Sequence, residues 1–331
     1  MAEEAYSHIA ILGAGAWGTA LATTAAHAGR RVTLWGRDGA LLVDITAGEN
    51  PKYLPGVELH EDISVTTALP VASGGEVIVL AVPAQATRAL LARLVPLLAP
   101  GVPLVISAKG IEQGTGKLMP EIVAEAAPGH PVAILSGPSF AREAAAGLPT
   151  AITVAAPGEI AGRLQATLST PSFRPYVSDD VVGVALGGAA KNVYAIACGV
   201  VDGMGLGENA RAALLARSFA ELARLGEALG ARRETLEGLS GLGDLVLTAT
   251  SKSSRNFSFG VELGQGRTVA ALRGAGRPLA EGVDTAPALV TRARQAGIEM
   301  PIAEAMADLI SGALPLAEAL SRLMSRRLKA E

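Results

Sequence analysis

Along the first half of the chain, short β-branched apolar runs alternate with alanine-rich stretches, and no other feature constrains the fold as strongly. The runs His8–Leu12, Arg31–Trp35, 76–82, 103–108 and Val132–Ser136 have strand length, and several are apolar almost throughout. Successive side chains of a strand point to opposite faces, so an all-apolar strand has to be covered on both. Helical stretches at 19–28 and 87–98 between the runs supply that cover. The result is the βαβ rhythm of a doubly wound sheet, with 151–155 and 174–177 as further strands at its edge.

From about Asp179 the pattern changes. Strand signals nearly vanish, and helical segments at 211–229, 284–296 and 302–310 follow one another. A chain of 331 residues also exceeds what one hydrophobic core usually organises. The expectation is an α/β protein: an N-terminal Rossmann-like doubly wound sheet over residues 1–179 and an all-helical C-terminal domain over 180–331. Half of the residues are hydrophobic but only 3% are aromatic. The cores must therefore be built from Ala, Val, Leu and Ile.

The segment 181–201 is long and apolar enough to cross a bilayer, yet Lys191-Asn192 lies at its middle. A central lysine costs several kcal/mol in a spanning helix, and glycines at 183, 187, 188 and 199 suit close helix packing. A buried helix without membrane insertion is the preferred reading. Its lysine then needs a reason to be there.

Other counts narrow the function. The formal net charge of -3 is small and the basic residues are scattered, which argues against a nucleic-acid partner. The single cysteine, Cys198, cannot form an intramolecular disulfide and fits a reducing compartment. The start, residues 1–7, carries two glutamates and no basic, apolar leader, so a cytoplasmic location is expected. His8, His27, His60 and His130 show no metal-ligand spacing, and no metal is expected.

Gly13-Ala14-Gly15-Ala16-Trp17-Gly18 follows the first strand and opens a helix. In that context the glycines permit a tight turn, a close approach of backbone to pyrophosphate, and close strand–helix packing. A nicotinamide dinucleotide is the expected cofactor. After the second strand come Arg37 and Asp38. An acidic residue there accepts ribose hydroxyls, whereas an arginine pairs with a 2′-phosphate. The two signals conflict; the order favours NADP over NAD, with Asp38 as a solvated loop residue.

Hydride delivery to a ketone needs a proton donor and stabilisation of the developing alkoxide, and lysines can do both. Lys109 follows a strand, where open α/β sheets bind ligands, although it could equally be a surface lysine in a turn. Lys191, desolvated, would have a lowered pKa suited to proton exchange; an ion pair with Asp244 is the structural alternative. Gly137-Pro138-Ser139-Phe140-Ala141 could present amides and a hydroxyl to a ligand, or be a plain strand-to-helix turn. The run 251–256, including Ser254, Arg255 and Asn256, offers donors suited to a phosphate, or is a solvated loop.

Taken together, these motifs resemble the bacterial NAD(P)-dependent glycerol-3-phosphate dehydrogenase family from Ile9 to about Leu320. The blocks are G-A-G-A-W-G-T-A-L-A from Gly13, N-P-K-Y-L-P-G from Asn50, S-A-K-G-I-E from Ser107 and L-S-G-P-S-F-A-R-E from Leu135. Further along come A-A-K-N-V-Y-A-I-A from Ala189, G-L-G-D-L-V-L-T from Gly241, S-S-R-N from Ser253 and E-G-V from Glu281. The resemblance implies interconversion of dihydroxyacetone phosphate and sn-glycerol 3-phosphate, with Lys191 as general acid/base. It implies that Lys109 contacts substrate and nicotinamide and that Asp244 holds the lysine and substrate. Gly137, Ser139, Ser254, Arg255 and Asn256 would surround the substrate. Trp17, Arg37, Lys109, Ala141, Arg255 and Glu281 would contact the cofactor, beside the loop residues Gly13, Gly15, Ala16 and Gly18. It also implies a homodimer that supplies glycerol 3-phosphate for phospholipid synthesis. Two rivals remain: a related reductase of a hydroxy acid or a ketopantoate-like substrate, and a nicotinamide-binding sensor without turnover.

Overall fold

The computed structural model describes residues 4–274 and 280–325, so the first three residues of the acidic start lie outside the description. The chain divides into two compact units. One takes the described residues up to Ala108 together with Leu118–Ala185; the other takes Lys109–Lys117 and the described residues from Leu186 onward. This division differs from a single boundary after residue 179 in keeping 180–185 with the first unit and in assigning 109–117 to the second. The reason for the second difference is local: Gln113 donates to the Asp284 carbonyl at 3.4 Å and Gln295 to the Thr115 carbonyl at 3.2 Å. Both contacts fix the excursion to the helix Glu281–Gln295.

The first unit is built on ten strands: β1 (His8–Leu12), β2 (Arg31–Trp35), β3 (Glu49–Asn50), β4 (Leu54–Glu58), β5 (Ile63–Thr66), β6 (Val77–Leu80), β7 (Leu104–Ile106), β8 (Val132–Ser136), β9 (Thr150–Ala155) and β10 (Phe173–Ser178). Eight of them form one sheet in the order β10-β9-β8-β7-β6-β1-β2-β5, while β3 and β4 pair as a separate antiparallel ribbon. The order reverses on either side of β1, as a doubly wound sheet requires. All neighbours in the large sheet run parallel except β8 and β9. The apolar runs are covered on both faces as their composition demands: every residue of β1, β6 and β7 is buried. The strand β5 was not evident in the sequence, and 76–82 and 103–108 pair over shorter stretches than their composition suggested.

No strand follows β10 among the described residues. The helix Val181–Gly203 has 89% of its most apolar window buried inside the protein, and Val193, Tyr194 and Ile196 are fully enclosed. It is a core helix. Two glycine pairs with the same four-residue spacing, Gly199 with Gly203 and Gly260 with Gly264, let it meet the helix Arg255–Gly264 backbone to backbone. A Cβ at Gly199 would stand 2.1 Å from the Phe257 carbonyl oxygen, and one at Gly260 would stand 2.1 Å from that of Ile196. No side chain fits at either position.

Candidate active site

In the first unit, the turn from β1 into the helix Ala16–His27 is shaped by its glycines. Gly13 has φ +126°, and a Cβ there would lie 2.5 Å from the Ala81 carbonyl oxygen; at Gly18 a Cβ would lie 1.8 Å from the oxygen of Gly13. These two are required by packing. Gly15, which caps the helix, is different: a Cβ there would meet nothing within 4 Å. Packing within the protein does not require a glycine at that position, whereas a pyrophosphate resting on backbone amides at a helix N-terminus does. The residues present therefore fit a dinucleotide.

Asn50, buried at the end of β3, braces this turn. Its amide donates to the Ala14 carbonyl at 3.2 Å and to Thr19 Oγ1 at 2.9 Å, while its Oδ1 accepts from the Tyr53 amide. Trp17 and Ala141 are both partly buried and pack against the apolar core of this unit. Arg37 is exposed. Asp38 is more than a solvated loop residue, since it caps the helix Gly39–Thr46 by accepting from the Leu41 amide at 3.3 Å. Gly137, at φ +143°, ends β8 with no room for a Cβ beside Ile152, and the Ser139 hydroxyl donates back to the Gly137 carbonyl.

In the second unit, Asp244 is 1% exposed and binds two ammonium groups. Lys191 Nζ lies 2.5 Å from its Oδ1, and Lys109 Nζ lies 2.7 Å from its Oδ2. Two close approaches set this up. The chain before Asp244 makes a wide π-helical turn at Leu239–Gly243, a form that often marks functional sites. At Gly187 the core helix presses on that turn, since a Cβ would stand 2.6 Å from the Ser240 carbonyl oxygen. Lys191 and Asp244 each lie four residues beyond this contact, one helical turn further along, and so face one another.

Burial lowers the Lys191 pKa to about 8; the Asp244 charge opposes that fall and the Lys109 charge adds to it. Burial alone would raise the Asp244 carboxyl, but the Lys109 and Lys191 charges outweigh it and hold the group below its usual value. Thr248, one turn along the helix Asp244–Thr250, accepts from Lys191 Nζ at 2.8 Å and donates to Asp244 Oδ1 at 3.2 Å. An ammonium has three donors, and these contacts use two of them. Among the described residues, one N–H of Lys191 is left for a third partner.

A chain of amides supports Lys109. Asn192 donates to the Lys109 carbonyl at 3.0 Å and accepts from Asn256 at 2.9 Å; Asn256 in turn accepts from the Gly282 amide at 2.9 Å. Ser254 is buried and caps the helix Arg255–Gly264 by accepting from the Phe257 amide, while Arg255 is exposed at that helix's first position. Burial raises the Glu281 carboxyl, and the Arg255, Lys191 and Lys109 charges oppose the rise. The structure thus gathers Lys109, Lys191 and Asp244 directly and links Asn256 to them. Thr248 and Asn192 join this cluster, and in the first unit Asn50 joins the glycine turn; none of the three stands out in the sequence as a site residue. Only the four-residue spacing of Asp244 and Thr248 on one helix could have signalled the first of these.

Known proteins resemble this chain over nearly its whole length. The family described as NAD-dependent glycerol-3-phosphate dehydrogenase matches through its N-terminal part over residues 8–161 and its C-terminal part over 180–321. A protein of Parvibaculum lavamentivorans named glycerol-3-phosphate dehydrogenase [NAD(P)+] is 52% identical over 99% of both chains. A protein of the same name from Rhodospirillum rubrum is 54% identical over 98% of this chain and 94% of its own. The crystal structure of glycerol-3-phosphate dehydrogenase from Coxiella burnetii superposes with a TM-score of 0.92 at 38% identity, covering 97% of this chain and 99% of that one.

Proposed function

The chain belongs to the NAD-dependent glycerol-3-phosphate dehydrogenase family, and from that premise we propose that it interconverts dihydroxyacetone phosphate and sn-glycerol 3-phosphate with NAD(P)H. The observation that carries this reading is the buried Asp244 shared by Lys191 and Lys109. A sensor that only binds a dinucleotide has no use for two ammonium groups desolvated around one carboxylate, with a donor to spare.

Residues 1–179 serve as the dinucleotide-binding domain and 180–331 as the substrate-binding domain. Bound reduced nicotinamide supplies the hydride. Lys191 gives its proton to the ketone oxygen, a task suited to a lysine titrating at about 8. Lys109 stabilises the developing negative charge, and Asp244 holds both ammonium groups in place. Arg255 and Asn256 bind the substrate phosphate, with Ser254 fixing the turn that presents them and Gly137 and Ser139 adding contacts. Phosphate binding orients a small ketone that has few other handles. Gly13, Gly15, Ala16, Trp17, Gly18, Arg37, Ala141 and Glu281 hold the dinucleotide, NADP in preference to NAD. The protein acts as a cytoplasmic homodimer and supplies glycerol 3-phosphate for phospholipid synthesis.

The test is the initial rate of dinucleotide oxidation with dihydroxyacetone phosphate, using NADPH and NADH in parallel and unphosphorylated dihydroxyacetone as control. Fast oxidation that requires the phosphate is expected. Folded protein that binds a dinucleotide yet oxidises neither with this ketone would return the question to the hydroxy-acid reductases and the sensor.

A further inference from the structure

Arg37 and Asp38 carry opposite charges at the end of β2, where a dinucleotide's adenosine ribose lies in folds of this kind. The structure distinguishes them. Arg37 is exposed and makes no ion pair among the described residues. Asp38 is engaged at both oxygens: Oδ1 accepts from the Leu41 amide at 3.3 Å, and Oδ2 lies 3.1 Å from Lys52 Nζ. Lys52 sits in the tight turn joining β3 and β4, its ammonium 5.3 Å from the centroid of the Tyr53 ring. That turn is anchored by Asn50, which also braces the glycine loop. The Lys52 hydrogen bond, and after it the Leu41 amide, hold the Asp38 carboxyl below its usual range.

An acidic residue at this position selects NAD by accepting ribose hydroxyl hydrogen bonds and by repelling a 2′-phosphate. Both effects need a carboxylate that is open and uncompensated. Asp38 is neither. We propose that Lys52 is a cofactor-specificity residue: by neutralising Asp38 and holding it against the helix it caps, Lys52 removes the bar to a 2′-phosphate and leaves Arg37 to bind it. Lys52 is a positioning residue acting through Asp38, so its effect belongs to the choice of dinucleotide rather than to hydride transfer. The inference rests on the proposed cofactor reading. Both partners are about half exposed, which makes the effect moderate and salt-dependent.

The experiment is an equilibrium titration of the full-length protein with NADPH and with NADH, followed by fluorescence. It compares the unaltered chain, Lys52→Ala, Asp38→Asn and the double variant, at low salt and at roughly 0.5 M salt. Asparagine caps a helix as well as aspartate does, so Asp38→Asn removes the charge and keeps the cap. Lys52→Ala should weaken NADPH about three- to tenfold at low salt and leave NADH within about twofold, with a smaller change at high salt. In the Asp38→Asn background the same substitution should change the ratio of the two Kd values by less than about twofold. An unchanged ratio in Lys52→Ala would overturn the proposal. So would an equal shift in both backgrounds, because Lys52 would then act on the phosphate directly. If the unaltered, folded chain bound neither dinucleotide, the cofactor reading itself would fail, whatever the variants did.

Discussion

The glycine turn of the first unit and the lysine–aspartate cluster of the second solve opposite problems with opposite materials. The turn is made of backbone: its shape comes from six consecutive residues, and its key position, Gly15, matters for the side chain it lacks. The cluster is made of side chains that are distant in sequence, for Lys109 and Asp244 are 135 positions apart. Binding a pyrophosphate needs only amides that point one way, which a short local motif can provide. Moving a proton needs a desolvated group with a tuned pKa, and that requires buried neighbours from several elements.

The sharpest way to break this contrast is Lys191→Ala. Turnover should fall by about 10²–10⁴-fold, the usual contribution of a positioned acid/base, while the Kd for the dinucleotide stays within about threefold. Steady-state rates and a binding titration on the same preparation decide it. Near-normal turnover would remove Lys191 from the chemistry, and a parallel loss of dinucleotide binding would show that the two regions are not separable.

A smaller effect is expected at Gly15. Because a Cβ there meets no protein atom, Gly15→Ala should leave the Tm within a few degrees but weaken dinucleotide binding by about tenfold or more. A lowered Tm would mean that the residue serves the fold. Unchanged affinity would mean that the open side of the turn does not face the pyrophosphate.

The smallest effect sharpens the description of the cluster. Lys191 must carry its proton to reduce the ketone and must lack it to oxidise the alcohol. With a pKa of about 8, kcat/KM for reduction should fall as pH rises through about 8, and kcat/KM for oxidation should rise over the same interval. Profiles that are flat between pH 7 and 9, on the order of one unit either side, would assign the proton to another group.

The same contrast explains what the sequence could disclose. The strands β1, β2 and β8 and the glycine turn were legible because each depends on residues adjacent in the chain. Strand β5 escaped because a short strand of partly polar residues lacks an apolar signature. Lys191 could be singled out because a lysine inside an apolar helix is conspicuous. Its partners were harder: Thr248 and Asn192 look like ordinary helix residues until the tertiary contacts exist. Lys109 follows a strand of the first unit, yet the 109–117 excursion belongs to the second, held by Gln113 and Gln295. No local pattern encodes that. Ser254 was noticed for its hydroxyl, whose partner is the Phe257 amide of its own helix.

The glycine seam between the Val181–Gly203 and Arg255–Gly264 helices bears on how such a site can vary. Helices separated by side chains can drift by fractions of an ångström as those side chains change size, and a site spanning them drifts too. Here the separation is set by carbonyl oxygen against α-carbon, which admits no gradation. Lys191 and Asn192 ride on one helix and Arg255 and Asn256 on the other, so their spacing is inherited as a fixed quantity. Mutation can discard it in one step, through any of the four glycines, but has no means of adjusting it.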